Sequence, residues 1–147
     1  MTTPQGHLFV YGSLLSTANH AMGTIMRRYA KLAGKGSIQA RMYIIPDPVD
    51  STNSYPGAIP SGDPSDRVFG EIYAVTGDAP RLLATLDEFE HCSPGRPEPF
   101  EFLRRKIDVT RDDGTPLPAI CYLYTWDVAK ARHVTSGRFE GDGSAIR

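Results

Sequence analysis

The sequence predicts a strand-rich fold with two helices around a single core. Three observations carry this: short apolar runs rich in β-branched and aromatic residues, 14 glycines and 12 prolines falling between those runs, and two segments with helical spacing. With 147 residues, 40% of them hydrophobic and 22% charged, roughly two thirds of the unfolded surface can be buried, so neither a metal nor a disulfide is needed. No internal repeat or second domain is discernible. Residues 1–147 read as one domain with its core over about 8–137.

The first run, Leu8-Phe9-Val10-Tyr11, stops at Gly12-Ser13, as a strand entering a tight turn does. Residues 17–33 read as a helix, with Ala21, Ile25, Arg28 and Leu32 on one stripe and Met22, Met26 and Tyr29 on a second, so the pattern singles out no buried face. GKGSIQARMYIIP, ending at Pro46, suggests the second strand. From Asp47 to Asp66 the chain is dense in Pro, Gly, Ser, Asp and Asn and reads as a long loop, which either lines a binding site or is a plain surface excursion. RVFGEIYAV, from Arg67 to Val75, suits a central strand with Gly70 as a candidate bulge. Asp78 is a natural N-cap for the clearest helix, with Pro80 in its first turn, where a missing amide hydrogen costs nothing. That helix ends at Glu90, before His91-Cys92-Ser93-Pro94-Gly95-Arg96-Pro97. Phe100 to Thr110 and Pro118 to Trp126 then form a hairpin through Asp112-Asp113-Gly114. The polar tail from His133 is expected to be ordered near Ser136-Gly137 and frayed after Gly141, with 138–147 flexible.

Sixteen basic and 17 acidic side chains, for a net charge of −1 and a pI near 6.4, provide no basic footprint for nucleic acid. The apolar runs are far shorter than the ~20 residues of a membrane span, and MTTPQGHLFVYG lacks the features of a signal peptide, so a cytoplasmic location without membrane contact is expected. Cys92 and Cys121 form no CxxC pair, and His7, His20, His91 and His133 show no ligand spacing, which argues against a metal site or a redox dithiol.

On the helix from Ala79 to Glu90, Leu82, Leu83, Leu86 and Phe89 recur as a core-facing stripe. At about 100° per residue, Glu90 falls near 80° from Leu82, between Leu83 and Leu86, whereas Glu88 points away and Asp87 lies at the edge. A carboxylate on a core face must be paired, hydrogen-bonded or partly protonated. The negative end of the helix dipole pushes in the same direction, towards a group that can take and return a proton near neutrality. The competing reading pairs Glu90 with Arg104 or Arg105 on the next strand, or frays it outward.

A second constellation is Tyr11-Gly12-Ser13-Leu14, where a strand stops at glycine and the following amides can cradle an anion or oxyanion, unless the turn merely ends the strand. Ser13 lacks the GxSxG elbow of a nucleophile, and no phosphate-cradling glycine motif is present. Tyr122, Tyr124 and Trp126 share one face of their strand, opposite Cys121 and Leu123, as sheet packing or as the wall of a ligand pocket. Arg104, Lys106 and Asp108 share a solvated face, with Arg104 the candidate to balance a substrate carboxylate.

From about Leu8 to Gly137 these pieces, in this order, resemble the γ-glutamylcyclotransferase-like family. The resemblance is carried by LFVYGSLL at 8–15, YPGAIP at 55–60, VFGEIYAV at 68–75, LLATLDEFE at 82–90, FLRRKIDV at 102–109 and AICYLYTW at 119–126. It implies an α+β fold, a small mixed β-barrel flanked by helices, in which the turn and the helix-end Glu meet in one cavity. Tyr11, Gly12, Ser13 and Leu14 match the family's substrate-binding turn, and Glu90 matches its catalytic carboxylate. Arg104 and Tyr122 are further candidate substrate contacts. His91 stands where the family commonly has Gly, and Phe102 where it commonly has Tyr.

The implied reaction is cofactor-independent cyclisation of a small γ-glutamyl amine or amino acid to 5-oxoproline, with release of the amine. Two other readings compete with it: a non-catalytic small-metabolite-binding protein on the same scaffold, and an amidohydrolase using Ser13. Neither the leaving amine nor the oligomeric state is legible. The segments Asp47–Asp66 and His91–Pro99 are expected to choose the amine.

Overall fold

The computed structural model describes residues 6–18, 20–47 and 54–139. Its strands are β1 (His7–Val10), β2 (Ala30–Pro46), β3 (Ser54–Pro60), β4 (Arg67–Val75), β5 (Phe102–Arg111), β6 (Pro116–Tyr124) and β7 (Arg132–Val134). Two α-helices join them, α1 (Ala21–Met26) and α2 (Ala79–Phe89), with a short 3-10 turn at Ser16–Ala18. The strands hydrogen-bond in the order β3-β2-β4-β1-β6-β5, and β5 returns to β2 through Gly36↔Arg111 and Ser37↔Thr110. This last pairing closes β2, β4, β1, β6 and β5 into a five-stranded barrel. The β1–β6 pair is parallel and the other pairs are antiparallel, so the sheet is mixed.

The long second strand makes closure possible. Its first half pairs with β4 from Ala30↔Val75 to Gln39↔Arg67, and its second half leaves the barrel to pair with β3 from Ala40↔Pro60 to Pro46↔Ser54. Two expectations are corrected here. The helix over 17–33 shrinks to the 3-10 turn and α1, because Ala30, Lys31 and Leu32 find partners on β4 that outweigh a weak helical pattern. Within the expected loop from Asp47 to Asp66 lies β3, while residues 48–53 fall outside the described chain. Its Pro56 and Pro60 cannot donate to a ladder, and β3 is an edge strand, the place where a sheet tolerates proline.

The other elements follow their local chemistry. Asp78 caps α2 by accepting the Arg81 amide at 3.1 Å. The hairpin pairs Phe102↔Tyr124 through Thr110↔Pro116, both strands shifted slightly from the expected spans. Gly70 is not a bulge. It pairs with Gly36 in unbroken register, and the irregularity in β2 falls between Leu32 and Gly34. The tail contributes β7, on the outer half of β2, and Phe69 donates its amide to the Gly137 carbonyl at 2.8 Å. Phe139 packs on the core, and the fraying expected after Gly141 lies outside the described residues.

Strand alternation sorts the apolar residues into two cores. Phe9, Ile38, Val68, Ile72, Val109, Cys121 and Leu123 form a cluster of strand side chains filling the barrel. Leu8, Val10, Tyr73, Phe102, Tyr122 and Tyr124 face the other way and meet Met26 of α1 and Leu82 and Leu86 of α2. Among the described residues no helix is long and apolar enough to cross a membrane.

Candidate active site

A cleft opens where β1 ends, with about 400 Å³ of non-protein space, part of it open to solvent. Phe9, Val10, Tyr11, Gly12, Ser13, Leu14, Tyr55, Pro56, Glu90, Phe102 and Tyr122 line it. Its floor is the turn after β1. The Leu15 amide donates to the Gly12 carbonyl at 3.0 Å, closing that turn, whereas the Ser13 and Leu14 amides make no hydrogen bond with the described residues. Gly12 is required by close approach: a Cβ there would lie 2.5 Å from Pro56 Cγ, so a side chain would separate the turn from β3.

Glu90 enters from the opposite element. It is the C-cap of α2, buried to 7% exposure, and its amide donates to the Leu86 carbonyl at 2.8 Å. The chain then reverses through a Schellman motif, with the His91 amide donating to Glu88 and the Cys92 amide to Asp87, at 3.3 and 2.9 Å. His91 occupies the left-handed position with φ of 62°, the conformation for which glycine is favoured. A glycine, which the resemblance leads one to expect at this place, would take up this backbone freely, and His91 meets the same geometry at a cost. Replacing His91 with Gly is expected to raise stability by about 1 kcal/mol, read as a rightward shift of the urea unfolding midpoint with an unchanged slope.

Around Glu90 the polar groups are tied together. Asp87, one turn earlier, accepts the Tyr122 hydroxyl at 2.6 Å through Oδ1 and holds Arg104 Nη1 at 3.1 Å through Oδ2. Burial, then the Asp87 hydrogen bond, pushes the Tyr122 phenol far up. Cys92 lies beside this group, and burial, followed by the charges of Asp87 and Glu90, pushes its thiol from 9.0 up to about 11. That thiol should be about a hundredfold less ionised at pH 7.5 than one titrating at 9.0, and its alkylation should be slower, with a rate that climbs about tenfold per pH unit up to about 11. A pH series with a thiol-specific reagent checks this, Cys121 being silent because burial raises its thiol further.

The structure brings Tyr11, Gly12, Ser13, Leu14, Glu90 and Tyr122 to one cleft. Arg104, expected to balance a substrate carboxylate, is not among the lining residues; its guanidinium pairs with Asp87. The register places Arg104 opposite Tyr122, and its guanidinium reaches Asp87 at the helix edge rather than the cleft. Tyr11 supports the wall through its ring: its hydroxyl donates to the Tyr122 carbonyl at 2.8 Å and accepts the Ala58 amide at 3.1 Å. The aromatic strand face divides, with Tyr122 and Tyr124 in the core, whereas Trp126 lies beyond the strand, exposed, donating to the Pro99 carbonyl at 3.1 Å.

Sequence reasoning missed Tyr55, hidden in the proline-rich stretch, although YPGAIP had stood out by resemblance. It also missed Glu101, buried to 7% exposure and accepting the Tyr55 hydroxyl, since its place between Phe100 and Phe102 reads as simple alternation. Phe102 sits between the Tyr55 and Tyr124 rings, at centroid distances of 6.1 and 5.3 Å. Among the described residues no cluster of His, Cys, Asp and Glu could hold a metal ion.

Comparison with known proteins agrees with this architecture. The family model "Gamma-glutamyl cyclotransferase, AIG2-like" matches residues 8–141. An AIG2-like protein from Mus musculus superposes with a TM-score of 0.62 at 21% identity, covering 85% of this chain and 80% of that one. Protein ytfP from Escherichia coli gives 0.56 at 26%, covering 90% and 94%. A structure named gamma-glutamyl cyclotransferase gives 0.57 at 19%, covering 82% and 66%. No curated protein sequence matches the chain. The family match spans most of the sequence and contains both the turn and Glu90, so the chain belongs to the γ-glutamyl cyclotransferase, AIG2-like family.

Proposed function

We propose that this protein cyclises a small γ-glutamyl amine or amino acid to 5-oxoproline and releases the amine, with Glu90 as general acid and base. The observation that carries the reading is the meeting, in one cleft, of a buried carboxylate at a helix end with a turn whose Ser13 and Leu14 amides bond to no described residue. Glu90 takes a proton from the substrate's α-ammonium, and the freed amine attacks the γ-carbonyl carbon of the same molecule. The new C–N bond closes a five-membered ring, and the oxyanion that develops is received by the turn amides. The ring nitrogen gives up its second proton as the intermediate collapses, and the bond to the leaving nitrogen breaks while that nitrogen takes both protons by way of Glu90, departing as an ammonium. All atoms come from the substrate, so the reaction balances without a cofactor.

The cleft's contribution beyond proton transfer is orientation. An extended γ-glutamyl chain must fold so that its nitrogen reaches its own carbonyl, and a preformed wall of Tyr55, Phe102 and Tyr122 selects that folded form. Phe102 lacks the phenol common in the family, but Tyr55 and Tyr122 bring phenols to the same cleft. The test is mass-spectrometric detection of 5-oxoproline from a panel of γ-glutamyl amino acids and amines. Product with any member supports the reading; none across the panel, with a folded protein, overturns it.

A further inference from the structure

The direction of the phenol hydrogens in the cleft bears on how substrate is held, an inference that rests on the cyclotransferase reading above. A phenol has one hydrogen and two lone pairs. Tyr122 gives its hydrogen to Asp87 at 2.6 Å, and Asp87 is kept in place by Arg104 on its other oxygen. With that hydrogen committed, the Tyr122 oxygen can only accept from a ligand. Tyr55 likewise gives its hydrogen to Glu101, whereas the Tyr11 hydroxyl is held on both sides, donating to the Tyr122 carbonyl and accepting the Ala58 amide. Burial and the neighbouring carboxylate keep the Tyr122 phenol neutral, so the hydrogen stays where it is.

A phenol oxygen whose hydrogen is committed elsewhere is complementary to a group that carries only donors. A γ-glutamyl substrate has one such charged group, its α-ammonium, which is also the nitrogen that must reach Glu90. We propose that Asp87 is a positioning residue that orients Tyr122 as a hydrogen-bond acceptor for the substrate's α-ammonium, holding the nucleophilic nitrogen beside Glu90. Asp87 serves this pair from one place. It lies one turn before Glu90 on α2, and its carbonyl accepts the Cys92 amide at the helix exit, so the phenol and the catalytic carboxylate share one anchor.

The experiment compares two ligands that differ only in that ammonium: γ-glutamyl methylamide and glutaryl methylamide. Calorimetric binding is measured to the Glu90→Gln variant, so that neither ligand is consumed. That variant should prefer the γ-glutamyl compound ten- to a hundredfold, the range for one hydrogen bond to a charged group. Adding Tyr122→Phe removes the acceptor and should bring the preference within about threefold. Adding Asp87→Asn should do the same by another route. Its oxygen would turn to Arg104 and its amide to the Tyr122 oxygen, releasing the phenol hydrogen into the cleft. Tyr122→Phe keeps the question decidable if Asp87→Asn does not fold. A preference that survives Tyr122→Phe overturns the assignment while leaving the cyclotransferase reading intact. Failure of the wild type to form 5-oxoproline from any panel member overturns that reading and this inference with it.

Discussion

Glu90→Gln is expected to lower 5-oxoproline formation by about a thousandfold, towards the background reaction, while the protein stays folded. General acid–base transfer by one positioned group is worth about two to four orders of magnitude, and the proposed mechanism uses this group twice. Gln preserves the size of the side chain, and the backbone bonds that cap α2, from the Glu90 amide to Leu86 and from the His91 amide to Glu88, do not involve the carboxyl. The loss should therefore appear in kcat, with the thermal midpoint shifted by only a few degrees. Side-by-side assays of wild type and variant by mass spectrometry, with a melting curve of each, decide it. Unchanged turnover would remove Glu90 from the mechanism.

Gly70→Ala should have a large effect on the fold. A Cβ at Gly70 would stand 2.1 Å from the Val10 carbonyl oxygen and 2.8 Å from Phe9 Cζ. Real atoms do not approach so closely, and a backbone oxygen cannot rotate away as a side-chain end can. Relief requires β1 to move off β4, to which it is paired from His7↔Ala74 to Val10↔Glu71. We expect a loss of about 3 kcal/mol or more, the upper range for overpacking. Urea unfolding measures it. Because β1 leads directly into Gly12-Ser13-Leu14, activity should fall further than the loss of folded protein explains, whereas Ala at exposed Gly62, where a Cβ meets nothing within 4 Å, should change neither.

Several elements were legible because their signals are local. The α2 helix carries its own cap at Asp78 and its own apolar stripe, and β4 and the β5–β6 hairpin are short apolar runs separated by turn residues. Glu90 was legible for the same reason: once the helix is granted, its direction follows from counting residues at the helical period. The turn at Gly12 was visible as the end of an apolar run, with its proposed role supplied by resemblance.

Other features depended on partners far away in the chain. Lys31 and Leu32 belong to a strand because β4 lies beside them, and the proline-rich Ser54–Pro60 belongs to one because the outer half of β2 offers an edge. Arg104 looked like a ligand for a carboxylate, and it is one, but the carboxylate is that of Asp87. The buried Tyr55–Glu101 bond joins residues 46 positions apart, and nothing in either neighbourhood announces it.

The sequence by itself determined the strand-rich character, the capped helix, the inward Glu90 and the family, since each rests on periodicity, turn chemistry or ordered motifs along the chain. Only the tertiary structure decided where β2 begins, that β5 returns to it to close the barrel, and which acceptors take the phenol hydrogens of Tyr11, Tyr55 and Tyr122. The physical reason is that a backbone or side-chain hydrogen bond is specified by its partner as much as by its donor. Those partners are brought together by the closing of the barrel and the docking of α2 against it.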